Sequence, residues 1–364
     1  MNIVSKSRAT DLKQFLSEAS WGKARWVPLS QDASTRHYIR LIKDNGQSAM
    51  LMDAPPFEKP PCPPEASDAE RRTLGWNALS RLAGSRVEGF TAIADYLRGR
   101  GFSAPEIYAH DAHNGFALIE DFGMDREFAR LIERGKENES VLYKNAASLL
   151  AELHSQPAPK KVDQWPILEF DGLALKSNAD LFVKWVPQLD ASIHIRRDQM
   201  ARWETELAAL IEAALSFPRE FCLRDFHAEN LLWLPSRSGL ARIGVLDFQD
   251  AINGWDGWDM AMLVQDARRH VSRQARQGAI KTYLDRTGKN AEDFETRLAI
   301  LGTLNALRIT GLFARLKVQD NKAKYLEFMP RQKEILAENL AHTACSGMAA
   351  LIHDIAPSFL TASL

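Results

Sequence analysis

FCLRDFHAENLLWLPSRSGLARIGVLDFQD, residues 221–250, carries two apolar runs, 230–234 and 241–246, on either side of Pro235-Ser236-Arg237-Ser238-Gly239. Short strand-forming runs around a Pro/Ser/Gly cluster predict two antiparallel strands and their turn. With the turn centred near Ser238, Asn230 falls opposite a residue close to Leu246. Antiparallel neighbours lie about 4.8 Å apart, so Asn230 and Asp247 are expected at the same end of the hairpin. Asp225 stands five residues ahead of Asn230, in the loop that enters that end. Taken singly, these are a capping Asp and a turn Asn. Together they bring two carboxylates and an amide oxygen toward one point. Hard oxygen donors of this kind suit Mg2+, which keeps several waters and takes its other contacts from phosphates.

Asp-x-x-x-x-Asn followed by a strand-borne Asp-Phe resembles the catalytic and metal-binding segments of the protein-kinase-like phosphotransferases. The resemblance implies that Asp225 is the base for the acceptor hydroxyl, and that Asn230 and Asp247 hold the metal bridging the nucleotide phosphates. It also implies an α+β, bilobal protein-kinase-like fold, with a small antiparallel β-sheet N-lobe and a mainly helical C-lobe. The expected division is 1–121 for the nucleotide-binding lobe and 122–364 for the helical lobe with the hairpin and acceptor site.

Composition agrees with two lobes. At 364 residues the chain exceeds one typical domain. Lys and Arg number 46 against 47 Asp and Glu, so no broad polyanion-binding surface is implied and no nucleic acid is expected. Cys62, Cys222 and Cys345 show no paired metal spacing and read as reduced thiols. The start, MNIVSKSRATDLKQFL, is broken by charges. No run reaches the roughly 20 apolar residues of a membrane span. The expectation is a cytoplasmic protein with no membrane partner.

Upstream, residues 10–21 read as an amphipathic helix, and 25–29, 37–42 and 48–53 as three strands. Asn45-Gly46 marks the turn between the last two. The polar loop 30–36 between the first two offers backbone N–H groups, with the Ser34 and Thr35 hydroxyls, as an anion nest for nucleotide phosphates. The third strand of the kinase pattern carries a lysine; here Met50 and Met52 occupy AMLMDA. Arg36 or Arg40 is the candidate replacement. No G-x-x-x-x-G-K-[ST] occurs, which excludes a P-loop kinase.

Residues 68–82 and 91–100 read as helices; Glu70 and Asp95 there are taken as a solvated face. The strand 115–120 leads into Asp121-Phe122-Gly123, which resembles an inter-lobe hinge whose backbone around Glu120 and Phe122 would hold an adenine edge. Further helices are predicted over 139–155, 180–189, 199–215, 258–270, 294–316, 322–328 and 331–342. His154 is read as structural and His227 as a loop-packing or substrate-edge residue. Residues 251–257 read as turn-rich. Arg308 and Arg315 are candidates to reach the acceptor.

Leu223 stands where sugar and antibiotic kinases usually have His, and is expected to anchor the loop apolarly. Asp259, in WDMAML, resembles the family's buried helix-start aspartate that accepts from the catalytic-loop backbone; it acts behind the site rather than on substrate. With MDAPP near residue 52, RDFHAEN and VLDFQDAINGWDGWDMAMLVQDAR, the resemblance narrows to one branch of the aminoglycoside phosphotransferase superfamily. That branch is the bacterial anomeric kinases for N-acetylmuramate and N-acetylglucosamine. It implies ATP as co-substrate, Mg2+, and a sugar or amino-sugar acceptor phosphorylated at its C1 hydroxyl. Arg224, Gln249 and Asp250 are then the residues expected to face the sugar. Two other readings stand beside it: a kinase for an aminoglycoside, choline-like alcohol or ketosamine, and a non-catalytic nucleotide-binding regulator.

Overall fold

The computed structural model describes residues 6–29, 36–56, 60–357 and 359. They pack into two compact units that interleave along the sequence. One comprises Met1–Lys136, Lys160–Ile167 and Glu229–Ala251; the other comprises Glu137–Pro159, Leu168–Ala228 and Ile252–Leu364. Packing carries the first unit on to Lys136 and returns the hairpin to it.

The first unit holds a five-stranded antiparallel sheet: β1 Arg25–Pro28, β2 His37–Ile42, β3 Ser48–Asp53, β4 Ile107–Asp111 and β5 Phe116–Glu120, in the order β1-β2-β3-β5-β4. The β2–β3 turn follows its sequence signal, with Gly46 alone at positive φ (84°) and Asn45 Oδ1 accepting the Gln47 N–H. The helix Lys6–Glu18 lays Leu12, Phe15 and Leu16 on Leu41, Ala49, Leu51, Phe116 and Leu118. That i, i+3, i+4 stripe covers one face of the sheet.

The predicted helix 68–82 is two pieces, Asp68–Leu74 and Trp76–Leu79, because Gly75 between them adopts φ 89°. Glu70 is not merely solvated: it closes a capping box with Ser67, each accepting the other's N–H. The next helix, Val87–Gly99, begins four residues earlier than expected. β4 was not anticipated; as an edge strand it is only half covered.

Six short strands follow in antiparallel pairs: β6 Lys161–Val162 with β7 Trp165–Pro166, β8 Arg219–Cys222 with β11 Ile252–Trp255, and β9 Leu231–Trp233 with β10 Ile243–Val245. The segment 251–257 therefore contains a strand rather than a turn alone. Gly254 is needed within it, since a Cβ there would lie 2.7 Å from Cys222 Sγ.

The second unit is helical and centres on the helix Ala291–Val318, whose Leu301, Leu304, Leu307 and Ala314 are buried. Gly311 lets it approach the helix Leu181–Leu189: a Cβ at that position would lie 2.2 Å from the Leu181 carbonyl carbon. Phe182 stacks on Trp203 at 5.9 Å, and Trp203 Nε1 donates to Asp180 Oδ1 at 2.9 Å. The helix expected over 258–270 stops at Val264, where the Gln265 amide turns to a reciprocal bond with Asn339. Among the described residues no single helix is long and apolar enough to cross a membrane. The α+β class expected from the sequence is the one observed.

Candidate active site

In the sheet-bearing unit, β9 and β10 pair Trp233 with Ile243, Leu232 with Gly244 and Leu231 with Val245. The Leu246 N–H then donates to the Asn230 carbonyl at 2.9 Å. Asn230 thus stands opposite Leu246, and Asp247 follows at once with φ 56°. Left-handed backbone on a non-glycine residue costs about 1–3 kcal/mol and persists where its surroundings hold it. Gln249 Nε2 donates to Asp247 Oδ1 at 2.8 Å. Gln249 itself is buried, and its Oε1 has no hydrogen-bond partner among the described residues. A neutral amide thereby fixes the carboxylate without neutralising it.

Tyr38, on β2, lies in the fields of both Asp247 and Arg36, the residue just before the strand. Burial pushes its hydroxyl up to about 12, with the Arg36 cation opposing and Asp247 adding to the rise. The donor set here is an amide oxygen and a carboxylate. No group of three or more His, Cys, Asp or Glu able to hold a metal occurs among the described residues. A cation at Asn230 and Asp247 would take few protein ligands and fill its shell with water and phosphate oxygens, which fits Mg2+.

The hairpin is fastened to the sheet unit along its length. The Val245 N–H donates to the Ser103 carbonyl at 2.9 Å, and Ser103 Oγ donates to the Ala241 carbonyl at 2.6 Å. Arg237 donates to Ser103 Oγ and pairs with Glu120, its guanidinium 5.2 Å from the Phe122 ring centre. Gly244 leaves room for Phe122, whose Cδ2 would be 3.2 Å from an added Cβ. Phe248 stacks on Phe90 at 4.9 Å.

The residues expected at the nucleotide have varied placements. The Glu120 N–H donates to the Glu106 carbonyl at 2.8 Å, so that donor is spent within the sheet. Arg40 pairs with Asp121, whose other oxygen accepts the Gly123 N–H. Arg36 is buried and donates to the Gly84 carbonyl at 2.7 Å. Asp250, expected to face the sugar, accepts the Ala83 N–H at 2.6 Å. Ser34 and Thr35 lie outside the described residues.

In the helical unit, β8 delivers the chain to Leu223 and Arg224, whose N–H groups donate to Asp259 Oδ2 and Oδ1 at 2.7 and 2.9 Å. Leu223 is buried. Arg224 has φ 73°, its carbonyl accepts from Trp258 Nε1, and its guanidinium lies 4.8 Å from the Phe170 ring centre. Burial pushes the Asp259 carboxyl up to about 6, against the lowering effects of His154 and the two N–H donors. This grip sets the backbone immediately before Asp225. The His227 N–H donates to the Asp225 carbonyl at 3.1 Å, and its Nε2 is 3.2 Å from Arg268 Nη1. Burial pushes the His227 imidazole down to about 4, with Asp266 opposing, so it is neutral at pH 7.

Sequence reasoning missed a polar network beside β8 and β11. His154 Nδ1 is 2.9 Å from the Tyr283 hydroxyl and 2.5 Å from Glu220 Oε2. Lys289 pairs with Glu220 and Asp256, and Arg297 also pairs with Asp256. Its members come from segments far apart in the sequence, so no local spacing announces them.

The model of the phosphotransferase enzyme family matches residues 25–296. A relative from Caulobacter vibrioides, named N-acetylmuramate/N-acetylglucosamine kinase, is 43% identical over 339 residues, covering 90% of this chain and 91% of the relative. A Pseudomonas aeruginosa protein of the same name is 29% identical over 328 residues, covering 87% and 85%. Among solved structures, a choline/ethanolamine kinase family protein from Mesorhizobium loti superposes with a TM-score of 0.57 at 14% identity, covering 95% of this chain and 99% of that one. That last likeness shows the fold, and it is the bilobal, kinase-like one. With three quarters of its length inside the family model, the chain belongs to the phosphotransferase enzyme family.

Proposed function

We propose that the chain moves the γ-phosphoryl group of ATP to the anomeric hydroxyl of an N-acetylated amino sugar. The observation that carries this reading is the 43% identity, over nearly the whole length, to a relative named for that kind of acceptor. In this reading Asp225 accepts the proton of the C1 hydroxyl. The sugar oxygen bonds to the γ-phosphorus as the bond to the β-phosphate oxygen breaks, and ADP leaves. Little covalent chemistry falls to the protein, so positioning and electrostatics dominate.

Asn230 and Asp247 would hold Mg2+, which supplies positive charge to the bridging phosphate oxygens. Gln249 keeps the Asp247 carboxylate in place, and Asp259 keeps Asp225 in place through the Leu223 and Arg224 backbone. Arg36, whose charge reaches Tyr38 as that of Asp247 does, is the candidate for the place of the small-lobe lysine, while Arg40 pairs with Asp121. Residues 1–121 would take the nucleotide and 122–364 the acceptor, in a cytoplasm that supplies ATP. Release of ADP, assayed over N-acetylated sugars, aminoglycosides and choline, tests the reading. Turnover with an N-acetylated hexosamine and with no other class is the expected result. ATP binding with no acceptor turned over would reveal a regulator, and choline turnover would reassign the substrate.

A further inference from the structure

The chain leaves the helical unit after Pro159 and rejoins it at Leu168, and Lys160–Ile167 between them packs with the sheet-bearing unit. This piece is the β6–β7 hairpin, turned at Asp163 (φ 50°) and closed by the Ile167 N–H donating to the Lys160 carbonyl at 3.0 Å. It sets the half-buried Trp165 against the helix Val87–Gly99. A Cβ on Gly89 would lie 2.7 Å from the indole Cε2 and Cζ2, so only glycine lets ring and helix meet. Glycine within a helix costs about 1 kcal/mol against alanine. The next residue, Phe90, is buried and stacks at 4.9 Å on Phe248, which follows Asp247 directly. Ahead of the same helix, the Ala83 N–H donates to Asp250 Oδ1 at 2.6 Å. Gln249 Nε2 donates both to Asp250 Oδ2 at 3.4 Å and to Asp247 Oδ1 at 2.8 Å. Two routes, one of stacked rings and one of hydrogen bonds, thus run from the start of this helix to the Asp247 loop.

Resting on the reading that Asp247 holds the metal, we infer that Trp165 is a positioning residue for phosphoryl transfer. Lodged against Gly89, it sets the helix Val87–Gly99 and, through Phe90 and Ala83, the aim of the Asp247 carboxylate. Trp165 and Phe248 press on adjacent residues of one helical turn, so a shift at Gly89 is passed to Phe90. Mg2+ demands near-octahedral oxygen ligands at about 2.0–2.1 Å, and a misplaced carboxylate is therefore felt as weaker metal binding. Trp165 also anchors its own hairpin, since a two-stranded ribbon is at best marginal alone. Anchoring alone would show in stability, and positioning shows in the metal requirement.

The test follows ATP binding to the full-length chain by calorimetry over a range of Mg2+ concentrations, with urea midpoints measured alongside. No acceptor is needed, so the identity of the sugar does not enter. Gly89→Ala forces ring and helix apart and should raise the half-saturating Mg2+ concentration several-fold. Trp165→Ala removes the ring and should raise it by less, and Trp165→Phe should retain part of the wild-type value. The double variant should match Trp165→Ala rather than multiply the two single effects, because the added methyl group then has no ring to strike. Saturating Mg2+ should restore ATP affinity in each. If Gly89→Ala fails to fold, Trp165→Ala and Trp165→Phe still carry the test. An unchanged Mg2+ requirement in Trp165→Ala overturns the inference, whatever its urea midpoint, and so do multiplying effects in the double variant. A wild type whose ATP binding ignores Mg2+ sinks the metal seat itself, a result visible before any variant is made.

Discussion

The Asn230 carbonyl accepts the Leu246 N–H at 2.9 Å, one residue ahead of Asp247. That single bond fixes which residues leave the hairpin together. A one-residue slip would turn every side chain of the strand to the other face. The register is held from outside by Ser103, which bonds both Val245 and Ala241, and by Phe122 against Gly244.

Gly244→Val is therefore expected to act on nucleotide binding through the hairpin. A Cβ at this position meets Leu232, Leu234 and Phe122 at 3.2 Å, and the branched methyl groups press further. Overpacking of this kind costs about 1–3 kcal/mol, read as a lowered urea midpoint. The KM for Mg–ATP should rise several-fold, with a smaller change in KM for the acceptor. An unchanged midpoint would mean that Phe122 yields freely.

Asp259 should matter to turnover without touching substrate. It satisfies two buried N–H groups, and Arg224, the second donor, has left-handed backbone. An orphaned buried donor costs about 1–3 kcal/mol. Asp259→Asn keeps one acceptor and turns an NH2 toward the other N–H. The expected outcome is a fall in kcat with little change in the Kd of ATP, measured by steady-state kinetics and calorimetry. Loss of ATP affinity in step with kcat would place Asp259 elsewhere in the mechanism.

Two buried groups near Asp225 pull stability in opposite directions with pH. Asp259 titrates at about 6 when folded, above its ordinary 3.8. The folded chain binds the extra proton, so this contribution is full below 3.8 and is lost as pH rises through about 6. His227 titrates at about 4 when folded, below 6.5. Its contribution is full above 6.5 and is lost as pH falls through about 4. Denaturant midpoints between pH 4 and 6 check the signs. The stability difference between wild type and His227→Gln should grow with pH by up to about 1.4 kcal/mol per unit. The difference between wild type and Asp259→Asn should shrink with pH instead. Parallel slopes would refute both assignments.

What the sequence disclosed, and what it hid, follows from the range of the interactions. The hairpin register was legible because turn composition and strand period are local. Asp259 was legible because its position matches a family phrase. Segment 251–257 hid β11 because Asn253-Gly254 reads as a turn, whereas Gly254 is required by Cys222 across the sheet. The helix predicted over 68–82 failed at Gly75, whose φ of 89° no periodicity reveals. The members of the Glu220, Tyr283, Asp256 and Lys289 network are joined only by tertiary packing. Spacing could not have found them.

Asp225 belongs to the helical unit, whereas Asn230 and Asp247 belong to the sheet-bearing one. The proposed base and the proposed metal ligands can therefore be lesioned independently. Asp225→Asn keeps the size and removes the proton acceptor. Turnover should fall by about 10²–10⁴-fold, the span of general-base catalysis, while calorimetry still shows Mg2+-dependent ATP binding. Asp247→Ala should do the reverse at the binding step, abolishing the difference in ATP affinity between samples with and without Mg2+. Gln249→Leu tests how Asp247 is held: the carboxylate remains but loses the amide that orients it at 2.8 Å. Its Mg2+ requirement should shift to higher concentration, with ATP affinity recovered at saturating metal. If Asp225→Asn turned over like the wild type, the base would be another group; if Asp247→Ala kept its Mg2+ dependence, the hairpin would not be the metal's seat.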